Sequence, residues 1–259
     1  MLSRLTRPQF LAVCGLPVVA LLATAVFAPL PFSVARPGLT ADVLGSHRGA
    51  PVITVKGAPT HATSGQLRMT AIEATGPEAD IRLGDVLDNW FDTERAVMPR
   101  DAVYPSGDDL KEIEKHNEEQ MKESQDSAIT AALGYLHLKD SDVDVTLRLK
   151  RVGGPSAGLL FSLGIIDKLG PDDLTGGRVI AGTGTITADG EVGAVGGVPL
   201  KTQSARRDGA TVFLVPKAEC SQAQAQLPKG LRLIPVTTLK GAVASLRALE
   251  SGKGEVPAC

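Results

Sequence analysis

The chain has 259 residues, of which 43% are hydrophobic, 22% charged and 3% aromatic; this is a globular balance and excludes collagen-like, disordered and disulfide-dense classes. Lysine and arginine total 27 against 29 acidic residues, a formal charge of -2, so no general attraction draws a polyanion and no nucleic-acid partner is expected. Three cysteines, with no C-x-x-C pair or close His/Cys cluster, give no metal site to expect.

Between Arg7 and Arg36 there is no charged side chain, and Phe10 to Leu30 is almost wholly apolar. As a helix it predicts a membrane span, with Arg4 and Arg7 holding the amino terminus in the cytoplasm and the rest of the chain outside. Ser33-Val34-Ala35 has the small-x-small form of a signal-peptide cleavage site, the rival to an uncleaved anchor over residues 1–35. Pro17, Pro29 and Pro31 would kink or end such a helix. With Cys14 in the span, Cys220 and Cys259 fall in an oxidising compartment, where they pair or stay as two thiols.

Residues 36–107 form an amino-terminal segment. Pro51 to Lys56 and Gly65 to Ala74 read as strands, and Leu83 to Phe91 as an amphipathic helix with Trp90 in the core. Residues 108–250 follow as the main domain, with 251–259 as a tail. Asp108 to Leu136 is one long helical pattern, first charged with a thin stripe of Leu110, Ile113 and Met121, then apolar. Val143 to Leu149 alternates as a strand, and Pro155 to Leu169 has helical spacing. A glycine-interrupted strand over Arg178 to Ile186, a short helix opened by Pro199, a strand over Ala210 to Val215, a helix over Ala218 to Gln226, a strand over Leu231 to Val236 and a helix over Thr238 to Leu249 complete an α+β (α/β) class.

Gly154-Pro155-Ser156-Ala157-Gly158 fits G-x-S-x-G where a strand gives way to a helix. A serine there stands on a sharp turn, with helix N–H groups near to receive an oxyanion, although the same residues also make an ordinary turn or cap. An α/β-hydrolase needs a histidine after the serine, and none follows His137. His47 and His61 lie in Gly/Pro/Thr-rich loops and His116 on the charged helix, all read as surface residues; His137 at a helix end reads as structural. If Ser156 is a nucleophile, the base left downstream is a lysine with a lowered pKa. Lys201 is the leading candidate because it falls in the first turn of a predicted helix, where the dipole disfavours positive charge. Lys168, Lys217, Lys229, Lys240 and Lys253 sit near helix ends, in loops or in the tail. On position alone, Lys201 reads first as an exposed helix lysine.

Together GGPSAG (Gly153 to Gly158), GTGTI (Gly182 to Ile186), GEVGAVGGV (Gly190 to Val198) and the K-x-x-x-A-x-x-x-G pattern at Lys201, Ala205 and Gly209 resemble the proteolytic domain of Lon-type Ser-Lys peptidases. The resemblance implies the Lon proteolytic-domain fold, Ser156 as nucleophile, Lys201 as general base and Thr183 as a residue that helps hold the pair. The apolar span, PGLTADVLG (Pro37 to Gly45), WFDTERAVMPRDAVYP (Trp90 to Pro105) and SQDSA (Ser124 to Ala128) further resemble membrane-anchored, extracytoplasmic Lon-like proteases of bacteria. Those usually carry a PDZ domain, for which Gly134 to Asp142 leaves no room. Gly153 stands where many Lon domains have an acid, and Thr185 replaces the acid of T-G-E.

No G-x-x-x-x-G-K-[ST] occurs, and GTGTITADG fails the G-x-G-x-x-G spacing at Thr187, so no ATP is expected. The resemblance implies a cofactor-free, ATP-independent, single-pass serine endopeptidase acting on exposed or unfolded polypeptide outside a bacterial cell membrane, with a homo-hexameric ring as its assembly. The alternative is a catalytically silent Lon-like scaffold at the membrane.

Overall fold

The computed structural model of the chain describes residues 6–47, 49–107, 109–139, 141–149 and 154–259. Arg4, Asp108 and Gly153, singled out above, lie outside them. In chain order the elements are α1 (Arg7–Phe27), β1 (Phe32–Asp42), β2 (Ser46–His47), β3 (Ala50–Pro51), β4 (Ile53–Lys56), β5 (Gln66–Ala74), α2 (Leu83–Trp90), β6 (Ala96–Pro99), α3 (Arg100–Val103), α4 (Leu110–Leu136) and β7 (Asp144–Leu147). Then follow α5 (Gly158–Leu169), β8 (Val179–Gly182), β9 (Thr185–Ile186), β10 (Val192–Gly193), α6 (Val198–Arg207), β11 (Val212–Pro216), α7 (Cys220–Ala225), β12 (Arg232–Val236) and α8 (Leu239–Ser251).

The chain divides into two compact units, one of residues 1–35 and 74–109, the other of residues 36–73 and 110–259.

In the first unit the predicted apolar helix forms, but it ends at Phe27, because Ala28 turns extended ahead of Pro29. Among the described residues no helix is long and apolar enough to cross a membrane. One expectation is corrected here. Trp90 is not core: it is 68% exposed and Phe91 82%. The helical period of α2 is right, but the side it buries carries Asn89, whose amide donates to Asp85 O (2.6 Å) and whose Oδ1 accepts from Arg95 (2.7 Å).

In the second unit the sheet runs in the order β12-β11-β8-β5-β1. β12, β11, β8 and β5 pair in parallel, with Gly182 opposite Leu214 and Leu214 opposite Ile234. Both faces are covered, as parallel strands require. Ile180, Leu214 and Ile234 face a core made with Leu160, Leu163 and Ile166 of α5, Ala128 and Leu133 of α4, and Val243 and Leu246 of α8. Ala181, Phe213, Val215 and Leu233 face the opposite side, against Val198, Ala205 and Ala223 of α6 and α7. The charged first half of α4 is solvated as expected, with Ile113 and Met121 buried; Leu110, read as part of the stripe, is exposed.

Unforeseen is β1, an 11-residue strand that contains Pro37-Gly38. Gly38 makes it possible: a Cβ there would stand 2.6 Å from Ala71 O on β5. At the carboxyl end Cys220 and Cys259 are joined by a disulfide with Cα atoms 5.3 Å apart, and Gln224 donates to Cys259 O (2.7 Å).

Candidate active site

The Ser156 turn is built by its backbone and clamped from two sides. Gly154 has φ +86°, open to glycine at little cost, and leads into a 3-10 turn over Pro155–Ala157 that continues as α5. From one side, Ser156 O accepts from Gly184 N–H (3.0 Å), while Gly184 O accepts from Leu159 N–H (3.2 Å), so the turn is fastened to the link between β8 and β9. From the other, Ser124 of α4 donates to Pro155 O (3.0 Å). α4 comes this close because Gly158 has no side chain; a Cβ there would meet Ile186 Cγ2 at 2.8 Å and Ser124 Oγ at 3.0 Å. Ser156 itself is half-buried.

Thr183 continues the ladder one residue past β8, its N–H donating to Leu214 O (3.1 Å), and its side chain is fully buried. Lys201 arrives from α6. That helix starts at Gly197, which has φ +71° and would strike Ile72 Cγ2 at 2.8 Å with a Cβ, so Ile72 and α6 lie in contact. The Lys201 side chain is 4% exposed, the only buried lysine among the described residues. Its amine donates to Thr183 Oγ1 (3.1 Å), and Thr183 Oγ1 is 3.4 Å from Ser156 O, a long contact. Burial pulls the Lys201 pKa down to about 8, with Glu219 opposing; removing an ammonium from water disfavours its charged form.

The structure thus brings Ser156, Thr183 and Lys201 to one place, with Thr183 as the link between the lysine amine and the serine backbone. The other lysines are not there: Lys217, Lys229, Lys240 and Lys253 are exposed and Lys168 is half-buried. The histidines stand elsewhere. His116 contacts Gln120 (2.9 Å), His61 N–H donates to Lys168 O (2.8 Å), His47 lies in β2, and His137 closes α4 in the left-handed conformation with Leu138 N–H on Leu133 O (3.0 Å).

Two residues of this region were not anticipated from sequence. Ser124 could have been suspected from the small residues Ser124 and Ala128 four apart on a helix that must approach another closely. Glu219, buried in the 3-10 turn Lys217–Glu219 that follows β11, carries no such signal.

A family model of the Lon protease (S16) C-terminal proteolytic domain matches residues 116–246, a stretch that contains Ser124, Ser156, Thr183, Lys201 and Glu219. The Lon protease of Clostridioides difficile (strain 630) is 42% identical over 79 residues, covering 30% of this chain and 10% of that protein. The Lon protease of Malacoplasma penetrans (strain HF-2) is 31% identical over 137 residues, 48% of this chain and 17% of that protein. That of Mesomycoplasma hyopneumoniae (strain 232) is 30% identical over 111 residues, 38% and 12%. The matches therefore span less than a fifth of the length of these relatives.

Proposed function

The chain belongs to the Lon protease (S16) C-terminal proteolytic domain family, a family of serine peptidases, and on that footing we propose that it is a serine endopeptidase with Ser156 as nucleophile and Lys201 as general base. The observation that carries this reading is the buried Lys201 amine on Thr183, beside the Ser156 turn. A neutral amine has a lone pair as well as its N–H groups. One N–H given to Thr183 fixes the nitrogen and leaves the lone pair to take the Ser156 proton. The Ser156 oxygen then attacks the scissile carbonyl, backbone N–H groups around Ser156 receive the oxyanion, and the ammonium returns the proton to the leaving amine. Water completes the cycle by hydrolysing the acyl-enzyme.

The test is cleavage of an unfolded model polypeptide. Ser156→Ala abolishes it with an unchanged circular-dichroism spectrum, and Lys201→Arg is equally inactive because arginine keeps its proton. Undiminished turnover by either variant rejects the assignment.

The same reading places the peptidase outside a bacterial cell membrane, tethered by α1. Leu11, Leu16 and Leu21 lie 70–71% exposed on a helix without an evident polar face, an arrangement suited to lipid. The Cys220–Cys259 disulfide supports an oxidising compartment. Retention of the anchor is supported by β1, because Ser33 and Ala35 are fully buried and paired with Met98 and Ala96, so cleavage after Ala35 would cut a paired strand. Without a nucleotide loop in these residues, the substrates are segments already exposed or unfolded, and no ATP is consumed. A hexameric ring is the assembly this reading expects. Resistance of the cell-associated protein to alkaline extraction, its digestion by protease added from outside, and sedimentation of the exported part check the three statements separately.

A further inference from the structure

We infer that the exposed side chains of Leu87, Trp90 and Phe91 form a lipid contact beside α1, seated among the head groups and upper acyl chains of a phospholipid membrane. This contact rests on the tether reading of α1 and adds a second point of attachment to the same bilayer.

α2 is amphipathic, and it is turned the wrong way for water. At about 100° per residue, Leu83, Val86, Leu87, Trp90 and the capping residue Phe91 fall on one continuous arc, with Asp85, Asp88 and Asn89 on the other. A helix at an aqueous surface buries the first arc and wets the second. Here Asn89 is buried, whereas Leu87 is 51%, Trp90 68% and Phe91 82% exposed. The orientation is held by hydrogen bonds. Arg95, just before β6, donates to Asn89 Oδ1, Asn89 donates to Asp85 O, and Arg82 N–H donates to Asp85 Oδ2 (2.9 Å), so the polar arc is tied inward and the three large apolar side chains are left outward.

The neighbour of α2 says what covers them. α2 lies against α1 within the first unit. Leu30, three residues past the end of α1, donates its N–H to Ile81 O (2.7 Å), two residues before α2 begins. α2 therefore starts where the apolar helix ends, which for a tether is the lipid–water boundary. Aromatic rings concentrate at that level, where an apolar body and, in tryptophan, an N–H meet both phases. A protein partner fits less well: two rings, at about 150–250 Å² each when fully buried, and one leucine fall short of the about 800 Å² per partner of a stable protein interface.

Trp90 is the only tryptophan of the chain, so its fluorescence reads the contact directly. The full chain is inserted into phosphatidylcholine vesicles, plain or with lipids brominated near the head or near the end of the acyl chain. The expected result is emission shifted to the blue, weak quenching by aqueous iodide and strong quenching by bromine, greatest for the shallow label. Leu87→Asp combined with Phe91→Asp moves the emission back to the red and removes most of the bromine quenching, while the chain still floats with the vesicles; the wild-type pattern decides alone if that variant does not fold. Water-like emission open to iodide, in a chain that floats, overturns the inference. Shielding from iodide without bromine quenching overturns it too, because a second copy or another protein segment then covers Trp90. A chain that an alkaline wash strips from the vesicles overturns the tether reading, and the lipid contact with it.

Discussion

The amine of Lys201 donates to the hydroxyl of Thr183 over 3.1 Å in the interior of the second unit, one residue standing on a helix and the other just past a strand end. That single contact orients the nitrogen, and its removal is the most direct probe of the site. Thr183→Val keeps the shape but deprives a buried N–H of its acceptor. We expect kcat/KM to fall about 10- to 100-fold, with a stability loss of about 1–2 kcal/mol. Thr183→Ser, which keeps the oxygen, stays within a few-fold of wild type; steady-state kinetics and urea unfolding check both.

Lys201 also predicts two pH dependences. In the proposed role of base, with a pKa of about 8, it is expected to make kcat/KM rise through pH 8 on the acid limb. For stability the sign follows from proton counting: the unfolded lysine has a pKa of about 10.4, above the folded value. Between the two the unfolded chain binds more protons, so unfolding free energy increases as pH goes from about 8 to about 10. Urea titrations across that range show the increase in wild type, and in Lys201→Met this contribution disappears.

Ser124 holds Pro155 O, one residue before the proposed nucleophile. Ser124→Ala frees that carbonyl and loosens the turn. The expected result is a kcat about 10-fold lower with a KM changed little, and about 1 kcal/mol less stability. A kcat equal to that of wild type would show that Gly184 alone suffices to hold the turn.

The Cys220–Cys259 disulfide closes a separation of 39 residues. In the chain-entropy account such a loop contributes about 3–4 kcal/mol. The Cys220→Ser, Cys259→Ser double variant should melt several degrees lower than wild type in calorimetry, and reductant should lower the wild-type transition while leaving that of the variant in place.

Asp167 is a buried carboxyl at the end of α5 that accepts from Leu174 N–H (2.6 Å) while its Oδ2 has no partner. Burial raises its pKa to about 6, assisted by Asp173 and opposed by the Leu174 hydrogen bond and Lys168. Here the folded state binds more protons than the unfolded one between about pH 4 and 6, so stability declines across that window as pH rises. Asp167→Asn keeps an acceptor for Leu174 and carries no charge. It should be about 1 kcal/mol more stable than wild type at pH 7 and lose that advantage by pH 4, which denaturation at the two pH values tests.

Much of this protein was legible without coordinates because the signals are local. Alternation marks β5 and β7, helical spacing marks α4, α5 and α8, and glycine and proline mark the Ser156 turn and the start of α6, since each of these depends on the dihedral preferences and neighbours of a few consecutive residues. Ser156 and Lys201 are candidates from G-x-S-x-G and from a first helical turn, and with Thr183 they are the residues that the Lon-type resemblance implies. Other features were not legible. Pro37-Gly38 reads as a break, yet β1 passes through it because β5 lies against a glycine; Trp90 has the spacing of a core residue, yet nothing covers it.

The amino-acid order alone determined which residue types stand at the turn, at the strand end and in the first helical turn, because backbone geometry there is decided by glycine, proline and immediate neighbours. Only the tertiary structure decided that Lys201 is dry rather than solvated and that Thr183 takes its hydrogen bond. Desolvation and Coulomb attraction depend on distances between segments far apart in the chain, and those distances exist only once β8, β11 and α6 have packed.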